Sequence, residues 1–173
     1  MNFDEVIENR YSVRKFKDEK VSEELIEKVL ETGRIAPSAG NEQPTVVFVL
    51  DEDKIKKLEE HPNAKIHPVV FRTKQVLLIC YDKNIEMKRP HDDFSFGIVD
   101  SSITTTYMML KISELGLGST WIGWFHPKLI KEILELPENY EVSSMLAFGY
   151  LVEDSRPSKL HNERKPMEEF RME

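Results

Sequence analysis

The chain has 173 residues, 40% hydrophobic and 32% charged, a balance that suits one globular domain over residues 1–173 with a single core. Its net charge of −7 argues against a nucleic-acid or anionic-membrane partner, and it has no apolar run near the roughly 18 residues of a membrane span. Cys80 is the only cysteine and ends the apolar run Val76–Ile79, which argues against disulfides, zinc and iron–sulfur clusters and, by elimination, for the cytoplasm.

Phe3, Val6 and Ile7 recur at helical spacing and predict a short helix running toward Arg10. Ser22 is placed to cap a second helix with Leu25, Ile26, Val29 and Leu30 on one face, ending near Pro37. Thr45–Leu50 and Gln75–Tyr81 read as buried strands, and Asp51–Glu60 as a surface helix anchored by Ile55 and Leu58. His91-Asp92-Asp93 reads as a helix-start signal. The stretch 94–115 that follows is apolar nearly all round, with Ser101, Ser102, Thr104, Thr105 and Thr106 as its small residues. Such a helix needs cover on every side, so it predicts either a central core helix or the spine of a dimer, with Thr105 at the contact. Gly116-Leu117-Gly118 closes it, and Ser119–Ile122 is a short strand. Pro127 starts a helix that Leu136-Pro137 ends, and Val142–Tyr150 is the last strand. The uneven interleaving of helices and strands indicates an α+β fold.

Three stretches can carry chemistry. Arg10, Arg14 and Lys15 fall within six residues beside Ser12, and in an acidic chain they offer the guanidinium and hydroxyl donors that a phosphate takes. An extended backbone would put Arg10, Ser12 and Arg14 on one side and Tyr11 and Val13 on the other. A solvated basic turn is the plainer reading, and pairing with Arg164 and Lys165 requires the two termini to converge. Pro37-Ser38-Ala39-Gly40-Asn41-Glu42-Gln43-Pro44 is a stiff loop that presents Ser38, Asn41 and Gln43, or simply a helix-to-strand connection. Gly123, between Ile122 and Trp124, suggests a close backbone approach, and Trp121 and Trp124 are candidates for a pocket wall or for the core. The five histidines show no metal-ligand spacing, and no glycine elbow flanks Ser101-Ser102.

Taken in order, Arg10–Phe16, Ala36–Pro44, Leu115–Gly123, and Leu146–Tyr150 followed by Arg164-Lys165-Pro166 resemble the motifs of the nitroreductase family, over Glu5 to about Pro166. The resemblance implies an α+β fold with a mixed central sheet flanked by helices, in an obligate homodimer whose long interface helix is 94–115. It also implies two FMN sites at the interface. Arg10, Tyr11 and Ser12 would lie at the FMN phosphate and ribityl chain, joined by Arg164 or Lys165, with Arg14 nearer the N1–C2=O edge of the ring. Pro37, Ser38, Ala39, Asn41 and Gln43 would come from the other subunit, and Ile122 and Gly123 would present backbone at flavin N5. The implied activity is ping-pong transfer from NADH or NADPH through FMN to a nitroaromatic, quinone or similar acceptor, with no catalytic side chain and no metal. A dimer that stores or senses flavin without efficient turnover is the alternative. Two departures stand out: Thr45 follows Pro44 where the family often has an aromatic, and 61–74 offers no cofactor residue.

Overall fold

A computed structural model describes residues 1–172. Its elements run α1 (Phe3–Asn9), α2 (Glu23–Arg34), β1 (Thr45–Leu50), α3 (Glu52–Glu60), β2 (Gln75–Asp82), α4 (Gly97–Glu114), β3 (Gly118–Ile122), α5 (Pro127–Ile133), β4 (Tyr140–Gly149) and α6 (Met167–Phe170). The strands form one sheet in the order β1-β2-β4-β3, and every neighbouring pair is antiparallel. The expected mixed sheet is therefore corrected. Among the described residues the one parallel pairing is an isolated bridge from Ser12 to Ser119, where the extended segment after α1 runs beside β3.

Strand alternation divides the interior into two layers. Val76, Leu78 and Cys80 of β2, with Met145 and Ala147 of β4, pack with Ile55 and Leu58 of α3 and Ile130 of α5. Leu77, Ile79, Leu146 and Phe148 point the other way and meet Ile26 and Val29 of α2 and Met108 and Ile112 of α4. The register slips at Ile79/Cys80, and there the Ser143 hydroxyl donates to the Ile79 carbonyl at 3.2 Å. β1 departs from the expected buried strand. It lies at the sheet edge with only one partner, so Thr45–Phe48 are half-buried and Val49 is exposed.

Local signals set the helix ends. Asn2 and Glu5 form a reciprocal capping box on α1. Ser22 occupies the cap of α2, but its side chain makes no capping hydrogen bond. α4 closes at Gly116, whose φ of +74° lets Gly116 N–H reach Ser113 O and Leu117 N–H reach Ile112 O, both at 3.0 Å. α5 ends the same way on Glu135, at φ +53°. The start of α4 is not at His91–Asp93. Asp92 is taken up by a bidentate pair with Arg89 at 2.8 and 2.6 Å, inside a turn closed by the Lys88–Ser95 bridge. The helix begins at Gly97 instead, where a Cβ would lie 2.2 Å from the Tyr81 ring.

α4 is covered on one side only. Asp100, Ser101, Thr104, Thr105, Met108 and Ile112 are buried, whereas Val99, Ile103, Thr106, Tyr107 and Leu110 on the opposite face are half-buried or exposed. Thr105 is fully buried, donates to Ser101 O at 2.7 Å and approaches the Ser144 hydroxyl on the sheet at 3.5 Å. It belongs to the interior of the chain, not to the outward face expected of it.

Candidate functional site

The segment after α1 is extended, as its alternation predicts: Val13 is buried, while Ser12 and Arg14 are exposed. Val13 N–H donates to Ser119 O at 2.9 Å and fastens the segment to β3. Arg10 is half-buried at its start, beside a small cavity of about 140 Å³ that is also lined by Ser113 at the end of α4 and by Ser119. A full cofactor pocket usually exceeds about 300 Å³, so this cavity can take one end of such a ligand.

The tail reaches the same place. Burial, and behind it the charge of Arg164, hold the Arg10 guanidinium below its ordinary value. The termini thus converge: Tyr11, next to Arg10, contacts Ser155 and His161 of the tail, the latter three residues before Arg164. Among the described residues neither Arg10 nor Arg164 has a carboxylate partner; the hydrogen bond drawn by Arg164 goes to the Glu163 carbonyl at 2.7 Å. Two guanidiniums without a carboxylate partner, at a cavity also lined by Ser113 and Ser119, make a donor set suited to a dianionic phosphate. Arg14 is also unpaired by carboxylates and reaches only the Ser12 carbonyl at 3.3 Å. Lys165 stands over the Phe170 ring at 5.6 Å, and of the two expected tail cations Arg164 is the one whose charge acts on Arg10.

Tyr11 lines the same cavity as Arg10. Its hydroxyl donates to Ser155 Oγ at 2.8 Å, and its ring meets His161 edge-on at 6.1 Å between centroids. The side chain is engaged with the tail.

The Pro37–Pro44 loop is tightly wound. Gly40, Asn41 and Gln43 all have positive φ, at +59°, +58° and +53°. Gln43 N–H donates to Ser38 Oγ at 3.0 Å, and Ala39 N–H donates to Asp100 Oδ1 at 2.9 Å. Pro37, Asn41 and Gln43 are exposed and Ser38 is half-buried, beside a separate cavity of about 380 Å³ between α2, β1 and Thr104. Left-handed Asn is common, but left-handed Gln is uncommon, and this geometry keeps the loop side chains turned outward.

At the end of β3, Ile122 is buried in the core and offers only its backbone, and Gly123 is exposed. A Cβ on Gly123 would meet nothing within 4 Å, so nothing within the chain requires a glycine there. Trp121 and Trp124 are 36% and 77% exposed, so neither tryptophan is core.

The two halves of the expected site do not meet within one chain. The loop is pinned to Asp100 in the first turn of α4, while the Arg10 cavity lies at Ser113 near its end. Thirteen residues of helix separate them by about 20 Å.

A model of the nitroreductase family matches residues 7–150. This chain belongs to the nitroreductase family. An Archaeoglobus fulgidus protein with the provisional name NADH dehydrogenase/NAD(P)H nitroreductase is 31% identical over 180 residues, covering 92% of this chain and 96% of its own. The crystal structure of a nitroreductase family protein from Clostridium difficile 630 matches at a TM-score of 0.88 and 37% identity, over 99% of this nitroreductase-family chain and 98% of the other. An FMN-dependent nitroreductase from Clostridium difficile R20291 matches at a TM-score of 0.73 and 26% identity, over 92% and 96%.

Sequence reasoning missed Asp100, Ser155 and His161. The first had a signal, since a carboxylate in the first turn of a mostly apolar helix, far from the Lys111–Glu114 pair at its other end, must be doing something specific. The tail pair had none, because its contacts to Tyr11 span 144 and 150 positions.

Proposed function

We propose that this nitroreductase-family protein is an FMN-dependent NAD(P)H oxidoreductase acting on a small electron acceptor such as a nitroaromatic or quinone. The observation that carries the reading is the return of the tail to the Arg10 segment, where Tyr11 meets Ser155 and His161 and neither Arg10 nor Arg164 has a carboxylate partner among the described residues. That donor set fits the terminal phosphate of FMN. Arg14 would lie toward the N1–C2=O edge of the ring, where a fixed cation favours the reduced, anionic cofactor. Ile122 and Gly123 would give backbone to the N5 side. When bound, FMN would supply the two-electron chemistry that no side chain here can carry. The chain's own part is to hold the phosphate, orient the ring and place positive charge. A ping-pong order, with donor and acceptor using one face in turn, belongs to the same reading.

The second half of each site would come from a second copy of the chain. The roughly 20 Å between the Arg10 cavity and the Ser38–Gln43 loop supports this, as does the outward stripe Val99, Ile103, Thr106 and Leu110, which repeats along α4 without cover. Phe3 and Ile7 of α1 are 67% and 46% exposed and add apolar surface on the helix that packs by α4.

The test is an anaerobic absorbance titration with FMN, followed by NADH and then NADPH. Retained flavin bands that bleach with either nicotinamide are expected. Bands that persist with both would turn the reading to a flavin carrier, and absence of flavin binding would overturn it.

A further inference from the structure

The tail from Glu153 to Met172 lies almost entirely in solvent. Of its described residues only Ser155 and His161 are shielded, and these are the two that Tyr11 touches. A further long-range contact of this segment is the Lys15–Asp154 pair at 3.4 Å, between side chains 69% and 74% exposed, which contributes little to holding it. Its backbone bonds are local, among them Ser155 N–H to Val152 O, His161 N–H to Ser158 O and Glu163 N–H to Leu160 O. A segment with so few buried contacts is placed by those it does have.

Arg164 follows His161 by three residues. We infer that Tyr11 is a positioning residue that tethers the tail at Ser155 and His161 and so delivers Arg164 to the phosphate-binding Arg10. The inference rests on the FMN reading for its ligand but not for its mechanics. It replaces the expectation that the Tyr11 side chain contacts cofactor, since that hydroxyl is already engaged. The arrangement is economical in sequence: Arg10 and Tyr11 line the same small cavity, so the residue that holds the tail is the neighbour of the cation it serves.

Two like charges brought together without an anion repel, so the tether must work hardest in the free protein, and bound phosphate relieves the repulsion. The tail should therefore close more firmly on a phosphate-bearing ligand.

The test has two parts. In the free protein, hydrogen exchange of tail peptides covering 153–164 should quicken in Tyr11→Phe and further in Tyr11→Ala, while β2 and β4 keep their protection. Unchanged exchange in the tail would overturn the tether, whether or not FMN binds. In the flavin-binding protein, Tyr11→Phe should weaken FMN about threefold to tenfold, the worth of one hydrogen bond. A double-mutant cycle with Arg164→Gln separates positioning from general damage. The Tyr11→Phe effect should largely vanish in the Arg164→Gln background, because there is then no second cation to deliver. Independent, multiplying losses would overturn the role, as would no loss in Tyr11→Phe. A wild-type chain that fails to bind FMN would sink the flavin reading and leave the tether to be decided by exchange.

Discussion

Ala39 N–H donates to Oδ1 of Asp100 at 2.9 Å, and Oδ2 of the same buried carboxylate has no partner within the described residues. One acceptor in the first turn of α4 thus holds the loop carrying Ser38, Asn41 and Gln43, while the helix N-terminus favours the charge.

Asp100→Asn keeps an acceptor for Ala39 and removes a buried charge, so it should leave stability nearly unchanged. Asp100→Ala strands the Ala39 N–H and should cost about 1–3 kcal/mol. Urea unfolding of both variants checks this; equal losses would mean that the charge matters more than the hydrogen bond.

Two glycines separate fold from site. A Cβ on Gly118 would lie 2.6 Å from Val13 Cγ2 and 3.0 Å from Leu151 Cδ2, and Val13 cannot retreat without losing its bond to Ser119. Gly118→Ala should therefore destabilise the fold by about 1–3 kcal/mol and pull the Arg10–Arg14 segment off β3. Gly123 has open space around it. Gly123→Ala should leave the melting temperature unchanged and impair flavin binding or its reduction; full flavin activity would remove Gly123 from the site.

How much of this was legible depended on the range of the forces involved. The helices were readable from local signals such as the Ile26/Val29 face of α2, the glycine after α4 and Pro127 at the start of α5. The cofactor loop was readable as a loop, because its prolines and Gly40 act locally. Strand direction was not, since antiparallel pairing of β2 with β4 joins residues some 70 apart. Nor was the return of the tail to Tyr11, beside Arg10, which needed the chain to fold back over more than 140 residues. The start of α4 was misplaced because Asp92 found Arg89, a competing partner that a cap signal does not reveal.

The outward face of α4 gives a test of assembly. Thr105 is the wrong probe: it is buried against Ser144, and Thr105→Arg would break the chain's own core. Ile103 sits at the centre of the open stripe and is only half-buried. If this face pairs two copies, Ile103→Glu should give a folded monomer by light scattering that has lost FMN, because neither chain then holds a complete site. A variant that remains dimeric and flavin-loaded would place the interface elsewhere.

Last, Glu141 at the start of β4 lies between Lys83, just after β2, and Lys131 of α5. It accepts from Lys83 at 2.8 Å and lies 3.7 Å from Lys131, whose side chain is only 13% exposed and also bonds the Glu138 carbonyl at 2.7 Å. The hydrogen bond from Lys83 is the main cause that lowers the Glu141 carboxyl below its ordinary value of 4.5, and the same bond raises Lys83 above 10.5. A carboxyl depressed in the folded state stabilises fully above its unfolded value and loses that contribution as pH falls through the folded one. Lys83, raised on folding, contributes fully below its unfolded value and loses it as pH climbs past the folded one. The pair should thus add a constant increment from about pH 5 to 10 that fades at both ends. Exposure of the pair to solvent keeps the increment small. Glu141→Gln should lower stability by that small amount at pH 7 and match the wild type near pH 3. Denaturant unfolding at both pH values reads the difference, and a gap that persists in acid would assign the loss to packing around Lys131 instead of to charge.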